Sequence, residues 1–513
     1  MTAVPPTPRD DGRPDGADRG VQSGGEACEM LDVLIVGGGL SGISAAHALI
    51  TQCPRSRWAI FESRDTIGGT WDLFRYPGIR SDSDMTTLGF PFRPWRGDKA
   101  IADGADILDY IRDTAREYDI DRKVRFGHRV IAAEWSGDRA RWQVTYETDA
   151  GAGRIECRFL FLCAGYYDYE EAHRPQFEDE DRFAGEIVHP QFWPENMEVE
   201  GRRFVVIGSG ATAVTMVPAL AQRGARRVTM LQRSPGYIVS LPSRDRVGAM
   251  LRRVFPQKLA DFLIRWKNIG LSTFFYNFAR KRPDAMRRRV KAMQRDALRP
   301  DFDIERHFTP DYDPWDQRLC LVPDGDLFEA LNAGTADIVT DEIARFDADG
   351  IVLTSGGHVP ADVIVTATGL KLKVMGGMTI AVDGEEVTPG SRLVYKGAML
   401  DRVPNFAFAV GYTNASWTLK CDLTARLVAR LLNHMDSTGA DFVQPVAGPD
   451  DASDEPMLDL QSGYLQRSAG ILPRQGRRPP WRVEQNYFRD LRAFRKGKPR
   501  DGVLQYGKAG DQA

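Results

Sequence analysis

Cysteine is scarce in this chain of 513 residues and nowhere arranged to act in pairs: Cys28, Cys53, Cys157, Cys163, Cys320 and Cys421 lie far apart, with no C-x-x-C spacing. That excludes a zinc cluster or a disulfide framework, predicts no metal, and suits a reduced, cytoplasmic setting. Long apolar runs are missing too. No window reaches the roughly 18 uninterrupted apolar residues that cross a bilayer as a helix. Nor is there an excess of one charge: 68 basic residues nearly balance 71 acidic ones, for a formal net charge of −3, so whole-chain electrostatics give no reason to expect nucleic acid as a partner. Residues 1–30 lack the apolar stretch of a secretion signal, and their Pro, Gly, Asp and Arg read as a disordered leader.

What is present is the composition of a globular chain, 42% hydrophobic and 27% charged, and long enough for two or three domains. Order begins at Leu31-Asp32-Val33-Leu34-Ile35-Val36, an apolar β-branched run that stops at a glycine cluster before a helical stretch from Leu40 to Leu49. The same strand, turn and helix recur at Phe204 to Ile207, Gly208-Ser209-Gly210 and Ala211 to Gln222. Two such openings predict an α/β chain with two doubly wound, parallel-sheet, Rossmann-like domains. Two further strand runs, Phe159 to Leu162 and Val363 to Val365, end on small residues that let backbone pass close by.

In Gly37-Gly38-Gly39-Leu40-Ser41-Gly42 the first, third and sixth positions are glycine, as a tight turn, an approach to a pyrophosphate and close helix packing require. The helix N-terminus then offers N–H groups to a diphosphate. Glu62 stands twenty positions after Gly42 at a strand end, where an acid accepts both ribose hydroxyls. The second turn runs Gly208-Ser209-Gly210-Ala211-Thr212-Ala213, and twenty positions after Ala213 stands Arg233. The offset is the same and the charge reversed. A carboxylate repels a 2′-phosphate, whereas a guanidinium forks onto it. The first site therefore predicts FAD and the second NADPH, with Ser234 as a second phosphate contact; the bland alternative is that Arg233 is a solvated arginine. Two dinucleotides in one chain imply that one reduces the other.

Two further stretches, Gly68-Gly69-Thr70-Trp71 through Tyr76-Pro77-Gly78 to Asp82, and Phe183-Ala184-Gly185 through His189 to Trp193-Pro194, resemble the two fingerprints of the flavin-dependent Baeyer–Villiger monooxygenases, matched at every defining position. The resemblance runs from about Leu31 to Lys498. It implies that NADPH reduces FAD, that oxygen adds to the reduced flavin as a C4a-peroxide, and that this attacks a ketone to give an ester or lactone. It also implies a catalytic arginine at Arg318, positioned by Asp82, and places Gly69, Thr70 and Trp71 beside FAD; Trp71 and Tyr76 read equally as aromatics packed around the flavin. His189 invites a general-base role, but the resemblance puts Phe183, Gly185, His189, Trp193 and Pro194 at the junction between domains, with a conformational role. One departure is Gln317, where many members carry a lysine that helps hold the 2′-phosphate; recognition of NADPH then leans on Arg233.

The resemblance implies residues 31–165 and 366–450 as the FAD domain and 166–365 as an inserted NADPH domain, with 451–513 as a C-terminal extension to which no chemistry is assigned. Within the insert, residues 244–305 read as a helical insertion. Its basic, apolar-patterned 244–299 stretch reads first as a solvated helix pair packed on the second nucleotide domain, and otherwise as a contact for a membrane surface or a lid. Sulfur oxidation of thio-containing substrates is expected beside the ketone reaction. The alternatives are an N- or S-oxidising flavin monooxygenase, and a non-catalytic, membrane-associated protein that retains flavin.

Overall fold

The computed structural model describes residues 29–317, 319–458, 467, 470–496 and 501–511. The expected leader, apart from its last two residues, and Arg318 lie outside the described residues. A nine-stranded sheet is built around Met30–Val36, which runs parallel to Trp58–Phe61 on one side and Gly151–Leu162 on the other. Val33, Leu34 and Ile35 are fully buried, because a strand covered on both faces must be apolar at successive positions, without alternation. Val124–Arg125 and Phe406–Phe408 extend the parallel set.

This sheet is not wholly parallel, which corrects the sequence expectation. Arg129–Ser136, Arg141–Thr148 and Gly151–Leu162 form an antiparallel meander. The connections over 137–140 and 149–150 are far shorter than the dozen or so residues a parallel crossover needs. The second sheet is parallel throughout, in the order Ala336–Thr340, Arg227–Gln232, Arg203–Ile207, Val363–Thr366, Glu186–Val188. The α/β class with two Rossmann-like units is therefore observed. Between the sheets the chain passes twice, and the two passages pair as antiparallel strands, Tyr167–Ala172 with Leu370–Leu372.

Three helices, Arg246–Val254, Gln257–Lys281 and Pro283–Ala297, fill most of the expected insertion. The middle one reaches back to the first unit: the Arg265 guanidinium donates to the carbonyls of Thr86 (2.6 Å) and Gly89 (2.9 Å). No helix among the described residues is long and apolar enough to cross a membrane.

The C-terminal residues are part of the first core. Trp481 is fully buried there, and Leu504–Gly507 pairs antiparallel with Phe442–Pro445. The helix Tyr487–Lys496 delivers Asp490 to Lys420 at 2.6 Å, both buried. Removing one member of such a pair strands a buried charge, at a cost of about 3–5 kcal/mol, whereas replacing both with apolar groups costs far less. Asp490→Ala is therefore expected to lower the thermal midpoint by several degrees, and Lys420→Met with Asp490→Leu to recover most of the loss; calorimetry of the three proteins checks this.

Candidate functional site

Gly37 adopts φ +108°, and a Cβ there would stand 2.6 Å from the Cys163 carbonyl oxygen. Gly208 repeats the arrangement at φ +139°, crowded by the Ala367 carbonyl. Only glycine combines that backbone conformation with that approach. Cys163 and Ala367, the small residues that follow the two strands, are thus what the two turns press against. Gly42 packs on the Gly37 carbonyl and Ala213 is fully buried, so both serve packing of helix on strand. At Gly210, by contrast, a Cβ would meet nothing within 4 Å, and the turn is open on that side.

Both turns open onto one cavity of about 1220 Å³. A single small-molecule pocket spans roughly 300–1,000 Å³, so this space suits more than one ligand. Gly37, Gly39, Leu40, Ser41, Glu62, Gly69, Thr70, Trp71 and Asp82 line it from the first unit. Gly208, Ser209, Gly210, Ala211, Thr212, Arg233, Ser234 and Gln317 line it from the second. The Glu62 carboxylate is buried; Oε2 accepts the Gly38 N–H at 2.6 Å and Oε1 the Arg64 N–H at 2.9 Å. That fixes its orientation and leaves further lone pairs for hydroxyl donors.

The stretch from Gly69 to Asp82 ties the two units together. Beside Trp71, the Asp72 carboxylate is fully buried among Arg64, Arg75 and Arg112, which holds this segment rigid. The Tyr76 hydroxyl bonds to the Thr212 and Thr215 side chains, and burial pushes its pKa up. Gly78 presses on the Thr215 carbonyl, and Arg80 pairs with Asp326 at the start of the helix Asp326–Asn332. Tyr76 is thus a bridge between the units as well as an aromatic on the cavity wall.

Phe183, Gly185, His189, Trp193 and Pro194 do not line the cavity. Phe183 packs edge-on against Phe346 and Trp193 against the core of the second sheet. After His189, the Gln191 amide donates to the Asp168 carbonyl at 2.9 Å, on the connecting strand. His189 Nδ1 accepts the Gln191 N–H at 3.1 Å. Burial pushes its pKa down to about 4, with the Gly369 backbone opposing only in part. The ring is neutral at ordinary pH and away from the cavity, an arrangement that favours the junction over proton transfer.

Sequence reasoning missed several wall residues. Tyr169 bonds to Thr70, and burial pushes its pKa up to about 12. The Trp417 indole donates to Ser41 Oγ at 2.9 Å and packs on Tyr166. The Tyr412 hydroxyl donates to Asp490 at 2.6 Å, so the C-terminal helix helps set this wall. Aromatic clusters around Tyr166, Tyr167 and Tyr169 were the available signal.

Two glycine turns, an acid after one and an arginine after the other, opening onto a shared cavity define a two-dinucleotide oxidoreductase of the flavoprotein class. A model of the flavin-binding monooxygenase-like family matches residues 31–282. The FAD-containing monooxygenase EthA of Mycobacterium tuberculosis is 52% identical over 480 residues, which cover 94% of this chain and 98% of EthA. EthA of Mycolicibacterium smegmatis is 50% identical over 481 residues, with the same coverage. The chain belongs to this family of flavin-binding, FAD-containing monooxygenases. Among solved structures, an oxidized steroid monooxygenase bound to NADP superposes with TM-score 0.73 at 24% identity, covering 93% of this chain and all of that one. Cyclohexanone monooxygenase from Rhodococcus sp. Phi1 bound to NADP+ superposes at 0.71 and 19% identity, covering 94% and 100%. These two show the fold. The expectation of a flavin monooxygenase using FAD and NADPH stands.

His189 and His47, the latter also pushed down to about 4 by burial, give a pH dependence of stability. Below the ordinary histidine value near 6.5 the unfolded chain binds protons that the folded one refuses, so stability is complete above that pH and declines as pH falls toward about 4. His189→Gln is expected to flatten the decline of the thermal midpoint between pH 6.5 and pH 4; an unchanged slope would assign the decline to other groups.

Proposed function

We propose that the chain is a Baeyer–Villiger monooxygenase that inserts one atom of O2 beside the carbonyl of a ketone to give an ester or lactone, in the cytoplasm, with oxidation of thio-containing substrates as a second activity. The observation that carries the reading is the single cavity onto which both glycine turns, Asp82 and the Arg233–Ser234 pair open. Bound FAD, reduced by NADPH, supplies the activated oxygen.

The chain's own residues do the rest. The turn Gly37 to Gly39 and the first N–H groups of the helix Leu40–Gln52 meet the FAD diphosphate, and Glu62 takes the ribose hydroxyls. Gly208 to Gly210 with the helix Ala211–Gln222 do the same for NADPH, and Arg233 and Ser234 take its 2′-phosphate. Asp82 places Arg318, whose fixed positive charge stabilises the negative charge that develops as oxygen is transferred. Trp71, Tyr166, Tyr169 and Trp417 line the cavity and exclude water from it. His189 and Trp193 act at the junction, where the units adjust during the cycle.

Purified protein supplied with NADPH, O2 and a panel of ketones and thioethers is expected to form esters or lactones, identified by mass spectrometry; oxidation of thioethers or amines with no ester from any ketone would overturn the Baeyer–Villiger reading in favour of an N- or S-oxidising monooxygenase. Charge-assisted hydrogen bonds are worth about 1.5–3 kcal/mol. Arg233→Ala is therefore expected to lower the NADPH over NADH preference in kcat/KM by on the order of tenfold or more, through KM for NADPH; an unchanged preference would remove Arg233 from phosphate recognition.

A further inference from the structure

We propose that the helices Arg246–Val254 and Gln257–Lys281 form a docking face for an anionic lipid surface, independently of the reaction the cavity performs. Apolar side chains exposed singly need no explanation, but a contiguous group of them marks an interaction surface. On the first helix Val247, Met250 and Val254 recur at helical spacing and are 50%, 57% and 67% exposed. The series continues through Phe255 and Leu259 to Phe262, itself 56% exposed. Phe262 meets Trp266, and Trp266 meets the exposed Phe488, each at a ring separation of 6.0 Å. Further along the second helix Phe274 is 61% exposed.

The charges give the partner its sign. Between 244 and 262 the five basic residues are Arg244, Arg246, Arg252, Arg253 and Lys258, and the two acids are Asp245 and Asp261. Both acids are turned inward: Asp245 to Lys267 and the Gly248 N–H, Asp261 to Arg252 at 3.7 Å. Arg244, Arg246, Arg253 and Lys258 are exposed, and among the described residues none makes an ion pair, although Asp324 faces Arg244 and Arg246 at longer range. A pair of helices with apolar side chains at its surface and cations beside them matches a peripheral amphipathic anchor, whose apolar residues enter the headgroup boundary while its cations meet lipid phosphates. A second copy of the chain fits less well, because a two-fold contact sets this face against itself and brings cation onto cation.

The test is sedimentation of the full-length flavoprotein with vesicles of phosphatidylcholine alone and of phosphatidylcholine with about 30% phosphatidylglycerol, followed by flavin absorbance. Pelleting is expected with the anionic vesicles at low salt, weakening as ionic strength rises. It is expected to fall about tenfold or more in Val254→Asp with Phe262→Asp, and likewise in Arg253→Glu with Lys258→Glu. All four positions are exposed and outside the cavity, so NADPH oxidation by the variants is expected to stay at the parent rate. Absence of pelleting with anionic vesicles at low salt, or pelleting that neither double variant reduces, would overturn the proposal. A concentration-dependent dimer by light scattering that Phe262→Asp abolishes would also overturn it and give the face to a second copy.

Discussion

Each nucleotide turn is crossed by the carbonyl that ends the strand carrying the chain toward the other sheet: Cys163 over Gly37, and Ala367 over Gly208. The strand Gly151–Leu162 leaves the first sheet at that point, and Val363–Thr366 leaves the second at its counterpart. The segments that follow become the paired strands Tyr167–Ala172 and Leu370–Leu372. The places where the chain changes sheets are therefore the places where the two turns lie. A cavity shared by both turns follows from this topology, as open α/β sheets bind ligands where connections diverge at the carboxyl ends of their strands. A side chain at Gly37 or Gly208 would push the crossing strand away and separate the turn from its passage.

How legible a residue was depended on how local its constraint is. The glycine turns, Glu62 and Arg233 could be read because turn, helix and next strand lie within one short unit, so spacing along the chain fixes position in space. The antiparallel meander was missed because Phe159 to Leu162 resembles any other buried strand; only the short connections before it carry the direction. The part of the wall made by Trp417 and Tyr412 was not legible, since Trp417 meets Ser41 and Tyr412 meets Asp490 across hundreds or dozens of positions. The C-terminal residues carry no motif, yet the 2.6 Å contact of Asp490 with Lys420 makes them part of the core. Asp82 and Arg318 acquired roles only from the resemblance, because a turn aspartate and an arginine after glutamine carry no periodicity. For His189 the resemblance already set the junction ahead of a base, and its burial and place outside the cavity agree with that reading.

A net charge near zero hides a sharp sorting of charges by place. Asp72 is enclosed by three arginines and Lys420 faces one carboxylate, so the buried charges are compensated locally. Between 244 and 262 on the helical insertion both acids turn inward while Arg244, Arg246, Arg253 and Lys258 are exposed, which leaves a local field of one sign on a nearly neutral chain. Fields of that kind act over about 8–10 Å at physiological salt.

The contacts between the two units differ in kind from those within them. Inside each unit the strands are enclosed in apolar cores. Between the units, by contrast, many contacts are hydrogen bonds and ion pairs: Tyr76 with Thr212 and Thr215, Arg80 with Asp326, Arg265 with two carbonyls, and the Ala100 N–H with the Ser243 carbonyl at 2.7 Å. Apolar contacts join them too, in the small cluster of Ile269 with Tyr412 and Leu419 against the cavity wall, in Tyr76 on the core of the second sheet, and in Trp266 against Tyr487 and Phe488. Polar groups can exchange protein partners for water at modest net cost, and a polar junction between domains tolerates relative motion that an apolar one resists. The antiparallel ribbon meanwhile keeps the two passages in register. The proposed arrangement, with one cofactor held by each unit, calls for that combination, because units that adjust to each other during a cycle must do so without exposing either core.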